Sequence, residues 1–185
     1  MFIRLFTIGS RRLSLSYVSV NNDSFFTPLS ITGESSSNGT ILVYLPNFSY
    51  TEILKVLKSI DTVKFRVYYD CSSDWTFSKN IEFKKINSAG FMKDFLECSA
   101  VITQCGFSTT CEAIYLKKPL WAISIRGQFE QEFNSKILKS RGVFTHPFNS
   151  RNLNWWLESK EVSTIEIVDD LERLIKRIIT IYDEN

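Results

Sequence analysis

The residues with the clearest potential for chemistry form one short stretch from Thr103 to Glu112. Their order, Thr-Gln-Cys-Gly-Phe-Ser-Thr-Thr-Cys-Glu, predicts that the chain leaves a strand, turns at Gly106 and enters a helix. A glycine there lets the backbone approach a ligand closely, and Ser108 and Thr109 place hydroxyls beside the first free N–H groups of the helix. Because a helix start carries partial positive charge, this arrangement is typical of a phosphate site.

The same stretch has a simpler interpretation, in which Ser108 or Thr109 only caps the helix. Glu112 favours ligand binding, because a carboxylate about one turn inside the helix can accept hydrogen bonds from paired ribose hydroxyls while phosphates lie at the helix start. A carboxylate in a first turn is also common for electrostatic reasons alone. Both interpretations stay open at this point.

A second loop with polar side chains runs from Arg126 to Asn134. Two amides and a carboxylate, Gln128, Glu130 and Gln131, stand at the predicted start of the next helix. Sugar hydroxyls both donate and accept hydrogen bonds, so such side chains match them well. The alternative is a plain solvated helix start.

The elements that must position these loops alternate between strand and helix signals from residue 40 onward. Apolar or alternating runs predict strands at 41–45, 64–69, 81–86, 100–103 and 119–125. Spacing and caps predict helices from Ser49 or Thr51 to Ile60 and at 91–98, 109–116, 130–140, 152–159 and 168–182. This alternation indicates an α/β fold: a Rossmann-like, doubly wound, mostly parallel sheet with helices on both faces. Ligands of such sheets bind beyond the carboxyl ends of the strands, where the strand order reverses and where both loops fall.

Three segments are expected along the chain. Residues 1–39 form an extension with a strand-like alternation at 12–20, a turn at 21–24 and a flexible linker rich in Gly, Ser and Asn at 32–39. Residues 40–150 form the ligand-binding domain, and residues 151–185 supply two helices that pack on it.

Size and composition exclude several classes of protein. With 185 residues, 44% hydrophobic, the chain can bury one sizeable core. A net charge of +2, with scattered basic pairs, does not indicate nucleic-acid binding. No apolar run approaches the roughly 20 residues of a membrane span, and no secretory signal is recognisable. Four cysteines without CxxC spacing and a single histidine favour a reduced, cytoplasmic protein without structural zinc.

Three other reactive side chains are interpreted as structural. His146 follows the last helix of the predicted core, which favours packing over a role as general base. Cys105 and Cys111 flank the glycine loop without a basic neighbour in sequence, so they are interpreted as small packing residues.

The span from Ile41 to Gly142 resembles a known family. Its first strand, Ile-Leu-Val-Tyr-Leu-Pro, and the patterns Val-Ile-Thr-x-x-Gly-Phe-Ser and Gly-Gln-Phe-Glu-Gln resemble the C-terminal, donor-binding domain of GT-B glycosyltransferases. The relatives in question are the MurG-like transferases of peptidoglycan synthesis, the UDP-glycosyltransferases and a prokaryotic group of predicted transferases. This resemblance implies that the Rossmann-like fold is one half of a GT-B fold.

The resemblance also implies roles for individual residues. Gln104 stands where the UDP-glycosyltransferase signature begins its glycine loop with histidine, and it can donate to phosphate without supplying charge. The other implied ligand contacts are Gly106, Ser108 and Thr109 at the diphosphate, Glu112 at the ribose, and Gln128, Glu130 and Gln131 at the sugar. Phe91 follows the loop that holds the base in the family; it is a candidate for base stacking, with a core role as the alternative.

The function implied is transfer of a hexosyl group from a nucleotide sugar, UDP-linked, without metal or cofactor. The acceptor and the general base would belong to an acceptor-binding domain or subunit, through which peripheral membrane association is possible. An excised domain, a truncated gene and a natural donor subunit are the open explanations for the short chain, which is expected to be inactive alone. Two alternatives are a non-catalytic nucleotide-binding or interaction module and half of a GT-B-type sugar-nucleotide epimerase.

Overall fold

The structure, a computed structural model, describes residues 3–8, 11–15, 17, 24–25, 33–159, 162–165 and 171–183. The strands are β1 (Ile3–Ile8), β2 (Arg11–Leu15), β3 (Ser24–Phe25), β4 (Thr40–Tyr44), β5 (Lys64–Tyr69), β6 (Trp75–Ser78), β7 (Ile81–Lys85), β8 (Ala100–Gln104) and β9 (Leu120–Ile123). The helices are α1 (Tyr50–Leu57), α2 (Ser88–Glu97), α3 (Phe107–Tyr115), α4 (Phe129–Ser140), α5 (Ser150–Ser159) and α6 (Leu171–Asp183). Every strand and helix predicted from residue 40 onward is therefore present.

The main sheet has six strands in the order β6-β7-β5-β4-β8-β9. All of its neighbours pair in parallel except β6, which is antiparallel to β7. From β4 the chain builds outward through β5 to β7, then crosses to the other side of β4 to form β8 and β9. The order therefore reverses between β4 and β8, which confirms the predicted doubly wound fold and places the ligand crevice of such folds between these two strands.

Alternating side chains along the strands divide the core between the two faces of the sheet. Ile41 and Val43 of β4 face a cluster that includes α1 and α5, whereas Leu42 faces a cluster that includes α2, α3, α4 and α6. Strands buried on both faces explain the nearly continuous apolar runs in the sequence. Helices thus cover both faces of the sheet, as predicted.

Local capping explains where the helices begin. Ser49 caps α1 in a capping box with Glu52, as one of the two predicted caps. Asn87 caps α2, so that helix begins three residues before the predicted start at Phe91. A side-chain acceptor at the cap satisfies N–H groups that would otherwise lack partners, and this favours the earlier start.

The strand β6 was not predicted. It lies at the edge of the sheet, spans four residues and exposes three of them to solvent. Its sequence, Trp-Thr-Phe-Ser, alternates between apolar and polar residues, but four positions are too few to indicate a strand by themselves.

The N-terminal residues form a separate three-stranded sheet in the order β1-β2-β3. β2 covers the start of the strand predicted at 12–20; the rest of that prediction, apart from Tyr17, lies outside the described residues, as do residues 21–23 of the predicted turn. Ser24, where the turn was expected to end, instead begins β3. Residues 33–39 have no regular secondary structure, but they are not a free linker: the N–H groups of Ser36 and Asn38 donate to carbonyls at the end of α2.

A buried lysine joins this linker to the end of α2. Lys118 is 4% exposed, and its Nζ donates to the carbonyl oxygens of Cys98 (2.6 Å), Leu96 (2.9 Å) and Ser36 (3.2 Å). Burial lowers the pKa of the Lys118 ammonium, and the carbonyls at the helix C-terminus offset this cost.

Replacing Lys118 by methionine is expected to lower the free energy of unfolding by at least about 2 kcal/mol, since buried carbonyls would lose their donor. The measurement is urea unfolding, read as a shift in midpoint at constant slope. Lys117→Met, an exposed neighbour, is the control and is expected to change stability by less than about 0.5 kcal/mol. Equal stabilities of the two variants would contradict a structural role for the buried ammonium.

Candidate functional site

The candidate site lies at the carboxyl ends of β4 and β8, where the sheet order reverses. The two strands are joined there by side chain as well as backbone, because the Thr103 hydroxyl donates to the Tyr44 carbonyl at 3.1 Å. After β8 the chain passes through Cys105 and Gly106 directly into α3. This is the strand, glycine turn and helix that the sequence predicted.

The start of α3 keeps its N–H groups available. Gly106 is the N-cap and provides no side-chain hydrogen bond, so the first N–H groups of the helix have no capping partner. Ser108 and Thr109 lie inside the first turn, and neither is the N-cap. The simpler interpretation, in which one of them only caps the helix, is therefore wrong, because α3 begins two residues earlier than predicted.

The side chain of Gln104 ends β8 next to this helix start. It is 5% exposed, and its Nε2 is shielded from solvent and has no hydrogen-bond partner among the described residues. A buried amide donor without a partner costs about 1–3 kcal/mol. Such a group at the carboxyl end of a central strand is a candidate for contact with a ligand that supplies an acceptor.

Gln128 and Gln131 are brought to Gln104 by α4. The Nε2 of Gln131 donates to the Oε1 of Gln128 at 2.6 Å and, at the longer distance of 3.5 Å, to the Oε1 of Gln104. The Oε1 of Gln131 accepts from the N–H of Ile125 at 3.2 Å. The two loops that the sequence singled out therefore form one hydrogen-bonded site.

Asn134, one turn further along α4, has a role that was not predicted. It is buried, and its Nδ2 donates to the carbonyl oxygen of Cys105 at 3.0 Å. The contact fixes the peptide just before Gly106. Asn134 follows Gln131 by three residues, so both side chains lie on one face of the helix. This spacing is the feature of the sequence that could have indicated the role of Asn134.

Tyr17 is a second contact that the sequence did not reveal. Its ring lies against Phe107, with centroids 4.8 Å apart, and its hydroxyl is hydrogen-bonded to Thr110 and donates to the carbonyl of Phe107 at 3.3 Å. Tyr17 thus packs against the first turn of α3. Nothing in the local pattern around Tyr17 indicates a partner so far along the chain.

Glu112 lies on α3 and is 6% exposed. Its carboxylate forms no hydrogen bond or ion pair with the part of the chain that the structure describes. Burial raises the pKa of this carboxyl above its ordinary value of 4.5. A buried carboxylate without a partner opposes folding, and this is a reason to look for a ligand that it serves.

The remaining predicted site residues are Glu130 and Phe91. Glu130, in the first turn of α4, is half-buried. The ring of Phe91 makes edge contacts with Tyr44 and Tyr68, at centroid distances of 5.4 and 5.0 Å, and stacks on Phe95. Packing occupies Phe91 in this structure, and its contact with a base stays a prediction.

The side chains interpreted as structural have packing partners. The ring of His146 lies between Phe144 and Trp155, and its carbonyl accepts from the indole of Trp121 at 2.9 Å. Cys105 and Cys111 are fully buried, and burial raises the pKa of the Cys105 thiol to about 12. A thiol with such a pKa is a poor nucleophile at neutral pH.

None of the helices described is long and apolar enough to cross a bilayer. The described residues also contain no group of three or more metal-binding side chains.

Comparison with solved structures identifies the fold. The chain is similar to the spinosyn forosaminyltransferase SpnP, with 12% identity and a TM-score of 0.55, over 90% of this chain and 47% of that one. It is also similar to the glycosyltransferase VinC in complex with DTDP, with 12% identity and a TM-score of 0.51, over 97% of this chain and 45% of that one. The glycosyltransferase SnogD from Streptomyces nogalater gives 16% identity and a TM-score of 0.47, over 85% and 40% of the two chains. The chain thus spans less than half the length of these proteins, and the predicted half of a GT-B fold is confirmed.

Comparison of sequences identifies the family. No curated protein sequence matches the chain significantly. Residues 26–158, well over half of the chain, match the sequence profile described as glycosyl transferase family 1. That range includes the whole six-stranded sheet and both loops of the candidate site. The chain belongs to glycosyl transferase family 1.

Proposed function

We propose that this chain is the donor-binding half of a hexosyltransferase and that it binds a nucleoside-diphosphate sugar, UDP-linked, at the switch point between β4 and β8. The observation that carries the proposal is the unpartnered, buried Nε2 of Gln104 beside the uncapped start of α3. These two features leave donors without acceptors within three residues of one another in the chain. A diphosphate is a ligand that provides several acceptors and negative charge together.

The arrangement suits the departure of a diphosphate. Negative charge develops on the leaving phosphate as the bond to the sugar breaks, and donors fixed in advance stabilise that charge without reorganising. The N–H groups at the start of α3, the Gln104 amide and the hydroxyls of Ser108 and Thr109 would serve this purpose.

Glu112 would hold the ribose. A carboxylate on the same helix as the phosphate-binding turn can accept from two neighbouring hydroxyls, which would give the buried charge the partners it lacks. Gln128 and Glu130 at the start of α4 would contact the sugar. VinC, which has the same fold, was solved with a nucleoside diphosphate, and this supports donor binding by the chain.

The acceptor would belong to a second half of the enzyme. The chain spans less than half the length of SpnP and VinC, so an acceptor-binding domain or subunit related to MurG-like enzymes would complete the cleft and supply the general base. The chain by itself would bind the donor and would not transfer the sugar. A cytoplasmic location, expected from the sequence, belongs to this proposal.

Isothermal titration with UDP, GDP, ADP and dTDP tests the proposal. We expect UDP to bind, with a dissociation constant in the micromolar to millimolar range, about −4 to −8 kcal/mol. Preference for dTDP would change the nucleotide and keep the donor-binding role. Absence of binding by all four ligands to a folded protein, shown by cooperative thermal unfolding, would refute a donor site in the isolated chain.

A further inference from the structure

Gln131 is held at both ends of its amide by groups of the protein. The backbone N–H of Ile125 donates to its Oε1, and its Nε2 donates to the side chains of Gln128 and Gln104. A backbone N–H can only donate, so the side of the Gln131 amide that faces Ile125 must be the oxygen. The NH₂ group of Gln131 therefore faces Gln104.

This orientation dictates that of Gln104. Its atom nearest to the Gln131 NH₂ group is an acceptor in this arrangement; a donor there would bring two N–H groups together and leave the second hydrogen of the Gln131 NH₂ group without an acceptor. The Oε1 of Gln104 takes this position, at 3.5 Å. Its Nε2 is turned away from Gln131, and this is the donor without a partner among the described residues.

We infer that Gln131 is a positioning residue for the diphosphate site: it orients the Gln104 amide so that Nε2, and not Oε1, is the donor left without a partner for the ligand. The inference rests on the proposed diphosphate site. It changes the role expected of Gln131 from a direct sugar contact, since its NH₂ group faces two acceptors of the protein, the Oε1 atoms of Gln128 at 2.6 Å and of Gln104 at 3.5 Å. The backbone N–H of Ile125 thus sets the orientation of the Gln131 amide, and the Gln131 amide sets that of Gln104.

The orientation matters because the two ends of an amide have opposite effects on phosphate. An NH₂ group donates to a phosphate oxygen, whereas a carbonyl oxygen in the same place repels it. A neutral glutamine can present either end, unlike a protonated histidine, which donates from both nitrogens. A site that uses glutamine therefore needs a second group to fix the rotamer, and α4 provides it.

The decisive variant is Gln131→Glu. One carboxylate oxygen can still accept from Ile125, but the other now faces Gln104 as an acceptor. The Gln104 amide is then expected to turn over and donate Nε2–H to Glu, which presents Oε1 to the ligand. We expect the affinity for UDP to fall about 10- to 100-fold, as for the loss of a hydrogen bond to a charged group.

A double-mutant cycle separates this effect from the added negative charge. Gln104→Met removes the amide that can turn over, while the charge of Gln131→Glu acts in both backgrounds. We expect Gln131→Glu to weaken UDP binding strongly with Gln104 present and by less than about threefold in the Gln104→Met background. Equal losses in both backgrounds would show that Gln131 acts by charge alone and would overturn the inference. Unchanged affinity for UDP, with weaker binding of a UDP-sugar only, would also overturn it in favour of a direct sugar contact.

A spectroscopic measurement on the nucleotide-free protein tests the role of Gln131 independently of the proposed function. The side-chain NH₂ resonances of Gln104, assigned by their loss in Gln104→Met, report its hydrogen bonds without any nucleotide. In Gln131→Glu we expect one of them to move downfield and to exchange more slowly with water, because a charge-assisted hydrogen bond forms. Unchanged resonances would refute the positioning role even if UDP binds; shifted resonances in a protein that binds no nucleotide would refute only the donor site.

Discussion

Gly106→Ala is expected to fold like the wild type and to bind UDP about 10- to 100-fold more weakly, because a methyl group would occupy space that a diphosphate needs. The backbone of Gly106 has φ −71° and ψ 145°, values that any residue adopts. A Cβ built on it meets no other atom within 4 Å. Neither conformation nor packing in the free protein therefore requires glycine there; beside a preference for glycine over alanine at the N-cap, close approach of a ligand is the reason we expect.

Thermal unfolding and calorimetric titration of the same samples check this prediction. Alanine is a poorer N-cap than glycine, so a loss of up to about 1 kcal/mol in stability is compatible with it. Gly106→Val provides a graded comparison, since a larger side chain at the same φ and ψ should weaken UDP binding further without a matching loss of stability. If Gly106→Ala bound UDP as tightly as the wild type, the diphosphate would not lie against this turn.

Glu112→Gln is expected to raise stability at neutral pH. The pKa of the buried carboxyl is raised above 4.5, so between 4.5 and the raised value the folded protein retains a proton that the unfolded chain has lost. The free energy of unfolding therefore falls as pH rises through this window, and at higher pH the buried charge continues to destabilise the fold. A neutral glutamine does not titrate. The melting temperature of the variant should exceed that of the wild type at pH 7, with the difference vanishing at about pH 4.

The same substitution is expected to weaken UDP binding by roughly 100-fold, because the ribose hydroxyls would lose a charged acceptor. The substitution would thus raise the free energy of unfolding and lower the affinity for UDP, as expected of a group that is retained for function. Glu158→Gln, which neutralises an exposed carboxylate on α5, is the control and should alter neither quantity. Tighter or unchanged UDP binding by Glu112→Gln would remove Glu112 from the ribose site.

The fold from Thr40 onward could be predicted because its signals are local. Strands such as β4 and β9 are nearly continuous apolar runs, and helices such as α1 carry both a cap and an apolar face within a few residues. The edge strand β6 lacks such a signal, since pairing with β7 and not its own burial defines it. The N-terminal sheet contains β3, a strand of two residues, which no periodicity can reveal.

The candidate site was predictable to a similar extent. The glycine turn, Gln104 and Glu112 could be proposed because a strand, a turn and a helix follow one another within ten residues. Contacts between distant parts of the chain could not: Tyr17 meets Thr110 across 93 positions, and Asn134 meets Cys105 across 29. The orientation of the Gln104 amide likewise follows only from the three-dimensional network around Gln131.

Because Tyr17 is buried against α3, the segment that contains the six-stranded sheet is not the same as the segment that is stable by itself. The stable segment includes Tyr17. A fragment starting at Thr40 would keep every strand of the six-stranded sheet, yet it would uncover Phe107 and leave the Thr110 hydroxyl without its phenol partner. Part of the free energy that orders the first turn of α3 thus comes from a segment outside the Rossmann-like unit. A chimera of two transferases that is joined at the linker would therefore receive the six-stranded sheet of one parent without the tyrosine that packs against its phosphate turn.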